Sequence, residues 1–180
     1  SAPEEFQAKL ARVIALQARC LAVDWPRLYD KTAQLTALKG LFVGQRALGE
    51  KPENLAALLD LAMPLADHVT FADGGHKSRM PEVHLKLMRD LVEIRNAASS
   101  SSIKTVSKLD KKIAQMASIS RMWRHADGQF ARFNGAGIMA KEIIEETLTR
   151  AGQRGRVLQQ APWSGFVRFS SGRSTVIMDS

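Results

Sequence analysis

The sequence predicts a mainly helical fold with a small antiparallel β part near its C-terminal end. Through about two-thirds of the 180 residues, apolar side chains recur at three- and four-residue spacing, the period of a helix with one buried face. After the turn 125–128 the pattern changes to alternation, first in Gln129–Phe133 and later in Gly165–Phe169, as in a strand. We therefore divide the chain into a helical region, residues 1–127, and a C-terminal region, residues 128–180.

Five helices are predicted in the first region and a short sixth in the second. Asp24 is expected to cap the second helix, with Pro26 in its first turn. Pro64 should kink the third helix or end its regular part, and the serine-rich stretch Ala97–Ser102 is typical of a flexible loop. The connections are short, so neighbouring helices should lie antiparallel. The predicted helices span about residues 4–21, 26–49, 51–69, 81–95, 106–123 and 138–149.

The predicted strands form a hairpin of Gly165–Phe169 and Ser174–Met178 around a Ser-Ser-Gly-Arg turn. Two strands alone are marginally stable in water, and the second would present an apolar edge. Pairing with residues 129–133 would add a third strand, which still makes a thin sheet. We therefore expect a larger β domain to continue beyond Ser180.

Composition excludes several classes of protein. Hydrophobic residues make up 45% and charged residues 24% of the chain, which is ordinary for a globular domain and argues against wholesale disorder. No apolar run approaches the roughly 18–20 residues that span a bilayer, so no membrane partner is expected. The N-terminus lacks the pattern of a secretory signal. The single Cys20 excludes an internal disulfide and is expected to be a small core side chain.

The net charge of +8 is unevenly distributed. Residues 1–70 hold eight basic and eight acidic side chains, whereas residues 101–135 hold seven basic side chains against Asp110 and Asp127. Such an excess attracts nucleic acid, an anionic membrane surface or an acidic polysaccharide; the alternative is a solvated lysine-rich face. Because no nucleic-acid-binding motif is present, a basic helical nucleic-acid-binding domain is the least favoured hypothesis.

Polar side chains that could bind a substrate or transfer a proton are concentrated in three stretches: Asp73–His84, Arg121–Gly128 and Phe133–Gly135. The first two contain three of the four histidines. His76 and His84 lack the tight spacing of metal ligands, and no cysteine is near them. We therefore predict neither a metal nor a cofactor.

The blocks DGGHKSRMP, RHADGQFARFNG and APWSGFVRFSSGRSTVIMD resemble, in this order, landmarks of bacterial heparinase II/III-family proteins. Together they relate residues 26–180 to a family in which an incomplete (α/α) toroid of antiparallel helix pairs precedes a β-sandwich. The resemblance implies that the chain spans the end of the toroid and the first strands of the sandwich, residues 164–179. It also implies a periplasmic protein, whereas the residues themselves leave the localisation unknown.

The resemblance further implies β-elimination on an acidic polysaccharide. A base removes the C5 proton of a uronic acid, and the C4–O bond breaks. Donors or cations must neutralise the carboxylate, and a Tyr or His must reach the proton. We expect a carbon–oxygen lyase in the full-length protein, completed by the missing β domain, and no activity in this chain alone.

Candidate residues follow from this resemblance. His76 and His125 are the candidate acid or base, and Asp73, Gly74, Gly75 and Pro81 are candidate loop-forming residues. The candidate substrate-binding residues are Arg79, His84, Arg121, Arg124 and Asn134. Three of these residues could instead have a structural role. Arg79 could bond loop carbonyls, and His84 lies on the apolar face of its helix. Asn134 suits a turn with positive φ.

Two departures from the family pattern leave the activity open. Val83 stands where the family has a catalytic Tyr, and Lys31-Thr32 stand where it has an Asn-His pair. Either His76, His84 or His125 transfers the proton, or the protein binds acidic glycans without cleaving them. The tryptophans could stack on sugar rings, with packing as the alternative: Trp25, Trp123 and Trp163.

Overall fold

The computed structural model describes residues 3–98, 103–152, 157–172 and 174–180. Within them the chain is mainly helical with a small three-stranded antiparallel sheet, which confirms the predicted fold class. The helices are α1 (Glu4–Asp24), α2 (Lys31–Ala47), α3 (Pro52–Val69), α4 (Pro81–Ala97), α5 (Ile103–Met122) and α6 (Lys141–Ala151). The strands are β1 (Gln160–Ala161), β2 (Phe166–Ser171) and β3 (Ser174–Asp179), in the order β1-β2-β3.

The start of α2 differs from the prediction. Asp24 is the last residue of α1, and Trp25–Arg27 form a separate 3-10 turn that accommodates Pro26. The N-cap of α2 is Asp30, whose carboxylate accepts a hydrogen bond from the Thr32 amide at 2.8 Å. Both aspartates suit a cap, but Pro26 fits the first turn of the short 3-10 helix equally well, so the sequence signal does not distinguish them.

One further prediction about the helices is confirmed and one is wrong. Helix α3 continues to Val69, as predicted, with Pro64 inside it. Pro64 and Asp60, whose carbonyl loses its helical partner there, are both exposed, so water can satisfy that carbonyl. Cys20 is exposed rather than part of the core, because α1 buries none of its residues. Of the predicted loop Ala97–Ser102, Ala97 ends α4 and Ala98 is its C-cap, and the other four residues lie outside the described residues.

The hairpin is confirmed, with Phe169 opposite Val176, but its third strand is not the predicted one. Residues 129–133 form no strand and contribute only a bridge between Arg124 and Phe130. Their backbone is already used at the end of α5, where the Ala131 amide donates to the Trp123 carbonyl at 2.8 Å. The short strand β1 pairs with β2 instead.

The buried core extends from α2 through α6 into the sheet, and Trp123 lies where the helices meet the sheet. Its ring makes edge contacts with His84 at 4.9 Å, with Phe166 of β2 at 5.1 Å and with Phe130 at 6.3 Å. Trp123 is fully buried, so it packs in the core and is closed to sugar. The helix α6, although it lies beyond residue 127, packs against α4 and α5.

The sheet is apolar on both faces. Phe166 and Ile177 of one face pack against the helical core. The alternate residues of the same strands, which lie on the opposite face, include Phe169, Val176 and Met178, each about half exposed. Among the described residues, no helix combines the length and the apolarity needed to cross a membrane.

Candidate functional site

The D-G-G loop is held by the C-terminal β region. The carboxylate oxygen Oδ2 of Asp73 accepts hydrogen bonds from the Trp163 amide at 3.0 Å, the Ser164 amide at 2.7 Å and the Ser164 hydroxyl at 3.0 Å. Its Oδ1 accepts from the Gly75 amide at 3.0 Å. Bonds to a charged acceptor are stronger than neutral ones, so Asp73 fastens the loop to the turn before β2.

The two glycines of this loop allow close packing. Gly74 has φ +93°, and a Cβ there would lie 2.7 Å from the backbone carbon of Gln115 in α5. A Cβ on Gly75 would lie 2.6 Å from the Cβ of Ser164. The buried Pro81 then begins α4 at a position where its missing amide hydrogen costs nothing. Asp73 and Gly75 thus contact the turn before β2, whereas Gly74 packs against α5 and Pro81 begins α4.

Arg79 and Asn134 also connect these regions. Arg79 Nη2 donates to the carbonyls of Gly165 and Ser180, both at 3.2 Å, and the same guanidinium forms an ion pair with Asp179. The Asn134 amide donates to the Arg79 carbonyl at 3.1 Å and to Asp179 at 3.3 Å. Both residues have positive φ, 57° and 53°. Arg79 Nη2 and the Asn134 amide are thus occupied by the protein itself, whereas Arg79 Nε is buried without a hydrogen-bond partner among the described residues.

His84 is closed to solvent. Its ring is fully buried, with Nε2 2.9 Å from the Met116 carbonyl and 3.1 Å from the Ser120 hydroxyl. Burial lowers the pKa of His84 to about 3, so the ring is neutral near pH 7 and its Nε2–H donates to the carbonyl. In this conformation His84 stabilises the core and touches no substrate.

His76, in contrast, lines an open cleft of about 540 Å³, here called the His76 cleft. It lies between the start of α2 and the end of α3. Its lining combines two lysines, two histidines and a tyrosine with a single acidic residue: Tyr29, Asp30, Lys31, Thr32, His68, Val69, His76 and Lys77.

The His76 ring has a defined tautomer. Its Nδ1 accepts from the Ser78 amide at 3.0 Å and lies 2.8 Å from the Ser78 hydroxyl. Because Nδ1 is an acceptor, the proton of the neutral ring is on Nε2, which faces the Thr32 hydroxyl at 3.2 Å. Burial lowers the pKa of His76, an effect that the Asp30 carboxylate partly offsets.

The cleft charges are available to a ligand. Asp30 is used as the α2 cap, and within the described part of the chain the Lys31 ammonium bonds only to the neutral side chain of Gln34, at 3.3 Å. Lys77 and Tyr29 are exposed. Sequence reasoning did not select Tyr29 or His68, although Tyr29 is the chain's single tyrosine and lies two residues before Lys31, at the position compared with the family's Asn-His pair.

The other predicted catalytic histidine lies in a different cavity. His125 lines a pocket of about 460 Å³ with Arg121, Arg124, Ala126, Gly128, Val157 and Arg168, here called the arginine pocket. The structure therefore does not bring His76 and His125 together at one cleft. Lys112, from the same basic stretch of sequence, is buried and paired with Asp67 at 2.6 Å. Within the described ranges, no three His, Cys, Asp or Glu side chains are placed to hold a metal ion.

No family model and no solved structure matches the chain. The chain is similar to FtsZ-localized protein C of Caulobacter vibrioides (strain NA1000 / CB15N), with 29% identity over 182 residues. The match covers 99% of this chain but 31% of that protein, so the chain spans about a third of its relative's length.

Proposed function

We propose that this chain is a segment of a heparinase II/III-like polysaccharide lyase and that the His76 cleft receives its acidic polysaccharide. The observation that carries the proposal is the lining of this cleft, where Lys31 and Lys77 lie with Tyr29, His68 and His76 around an open volume. Ammonium groups bind uronate carboxylates, and the open shape suits a chain ligand that continues beyond the cleft.

The proposed chemistry assigns a role to each group. Lys31 and Lys77 neutralise the uronate carboxylate, which makes the C5 proton more acidic. Tyr29 is the proposed proton-transfer residue, because the Nε2 of neutral His76 already carries a proton. Tyr29 accepts the C5 proton as the C4–C5 double bond forms and the C4–O bond breaks, and it then returns this proton to the departing oxygen.

A second candidate function is acidic-glycan binding without cleavage. Both ring nitrogens of His76 are engaged by Ser78 and Thr32, and Val83, at the family's tyrosine position, cannot transfer a proton. In this case the cleft supplies the same carboxylate recognition, and the longer protein acts as a scaffold or receptor for the polysaccharide.

The two functions are distinguished by product formation. A longer protein that carries this segment is mixed with heparin, heparan sulfate and alginate, and the absorbance of unsaturated uronate is followed. Lyase activity that Tyr29→Phe abolishes, while binding remains, supports the first proposal. Binding without any product supports the second, and absence of binding to every uronan overturns both. The 180-residue chain alone is expected to give no product.

The similarity to FtsZ-localized protein C supports a separate proposal about location. We infer that this segment contributes to placing its protein where FtsZ assembles, because the match extends along 99% of the chain. A fluorescent fusion of the chain expressed in Caulobacter vibrioides should overlap with labelled FtsZ. Uniform fluorescence throughout the cell would contradict the inference.

A further inference from the structure

The arginine pocket lies where the end of α5 meets β2. Arg121 is in the last turn of α5, and Arg124 and His125 lie two and three residues beyond the end of this helix. Arg168 comes from β2 and donates from Nη1 to the carbonyls of Met122 and Arg124, both at 2.7 Å. These bonds satisfy carbonyls left free at the helix end and hold the Arg168 guanidinium at the pocket wall.

The pocket has an excess of positive charge. Among the described residues that line it are three arginines and no acidic side chain. Glu145, outside the lining, forms an ion pair with Arg124 and is itself more than half exposed. Arg168 has only carbonyl partners in the described part of the chain. Three guanidinium groups and one carboxylate leave two positive charges without a counter-ion among the described residues.

Arg121 is the least satisfied of the three. Its Nη1 is buried and has no hydrogen-bond partner among the described residues. Burial, followed by the charge of Arg124, lowers the pKa of Arg121, while Glu145 acts in the opposite direction. A buried charged donor without an acceptor is destabilising, and an anion in the pocket would supply the acceptor.

We propose that the arginine pocket binds a compact tetrahedral dianion, namely phosphate, free or as a monoester. Guanidinium groups match the oxygens of such an ion with paired hydrogen bonds, and a dianion balances the two uncompensated charges. A phosphate monoester carries about −1.5 to −2 charge at pH 7. This site is distinct from the His76 cleft and does not depend on the proposed function.

Arg121→Gln is the decisive variant. The wild-type Arg121 side chain makes no hydrogen bond to the described residues, so the substitution removes none and the fold should persist. The matched control is Lys108→Gln, which removes one positive charge from an exposed position of the same helix. Arg121→Lys keeps the charge and removes the guanidinium fork. Folding of each variant is checked by circular dichroism.

Binding is measured by calorimetry at constant ionic strength in chloride buffer. The probes are inorganic sulfate, inorganic phosphate, glucose 6-phosphate, glucose 6-sulfate and acetate. Wild type and Lys108→Gln should bind the three dianions saturably, Arg121→Gln at least tenfold more weakly and Arg121→Lys in between. Glucose 6-sulfate and acetate, both monoanions, should bind at least tenfold more weakly than glucose 6-phosphate.

Three results would overturn the proposal: no saturable binding of any dianion to wild type, equal affinities in Arg121→Gln and Lys108→Gln, or acetate binding as tightly as phosphate. Preference between the inorganic ion and glucose 6-phosphate identifies the source, since a site for a monoester binds the sugar phosphate at least as well as free phosphate.

Discussion

Single residues decide how the two parts of the chain are joined, and Asp73 is the main example. One carboxylate oxygen accepts three hydrogen bonds from residues 163 and 164, about ninety positions away in sequence. Asp73→Asn turns one oxygen into a donor and removes the charge that strengthens these bonds. We expect a loss of about 2–3 kcal/mol in the free energy of unfolding, measured by urea denaturation.

The control for this prediction is Asp60→Asn, which removes the same charge from an exposed position of α3. It should change the free energy of unfolding by less than about 0.5 kcal/mol. If Asp73→Asn is no more destabilising than Asp60→Asn, the carboxylate does not hold the two regions together.

Because the His84 ring is buried, the stability of the fold depends on pH. The folded pKa is lowered to about 3, whereas an unfolded histidine titrates near 6.5. Stability is therefore complete above about pH 6.5 and declines as the pH falls towards 3, because only the unfolded chain takes up the proton. Lowering the pH from 7 to 5 should reduce the free energy of unfolding by about 2 kcal/mol through the titration of this ring.

Urea denaturation of wild type and His84→Gln at these two pH values tests the prediction. The variant should lose less stability than wild type between pH 7 and pH 5. Some dependence should remain in the variant, because burial lowers the pKa of His76 in the same direction. Identical losses in the two proteins would show that His84 does not titrate as proposed.

At the scale of elements, the approach of α5 to the D-G-G loop requires a glycine. Gly74→Ala places a Cβ 2.7 Å from the Gln115 backbone at φ +93°, so helix or loop must move. We expect a loss of at least about 3 kcal/mol in the free energy of unfolding. Gly49→Ala is the matched control, because Gly49 has φ +76° but open space around it. This substitution should lower the free energy of unfolding by about 1 kcal/mol. Equal costs would show that only φ matters.

Sequence patterns predicted the elements whose formation depends on local signals. Helical spacing and Pro81 located α4, and alternation around a turn located the hairpin. The error at residues 129–133 has a physical cause: alternation also arises where an extended backbone pairs locally, as Ala131 does with Trp123. The start of α2 was mistaken because Asp24 and Asp30 both have capping chemistry, and tertiary packing decides between them.

The candidate site was less predictable than the fold. Asp73 and Arg79 bind residues in and just before the C-terminal hairpin, and Asn134 binds the Arg79 carbonyl. His76 and His125 line separate cavities. A sequence shows that a side chain can bind a ligand or transfer a proton. It does not show whether that side chain is already hydrogen-bonded to another part of the protein. Tyr29 falls inside the predicted second helix, whereas the structure places it before α2, so the helical pattern did not indicate that it faces the same cleft as His76.

At the scale of the whole molecule, the outer face of the sheet should bind apolar probes. Phe169, Val176 and Met178 are about half exposed on β2 and β3 and form an exposed apolar surface. Replacing Phe169 and Met178 by Thr should lower the fluorescence of a bound hydrophobic dye at least twofold, with unchanged helical circular dichroism. Unchanged dye binding would show that this face is not an apolar docking surface.

The central proposal is that the His76 cleft binds an acidic polysaccharide through Lys31 and Lys77. Its most direct test is calorimetric titration of the chain with heparin oligosaccharides, comparing wild type with the double variant Lys31→Gln/Lys77→Gln. The control is Lys108→Gln/Lys111→Gln, which removes the same charge from exposed positions of α5. The cleft variant should lose at least tenfold in affinity while the control stays within about threefold of wild type. Equal losses in the two double variants, or no binding to wild type, would contradict the proposal.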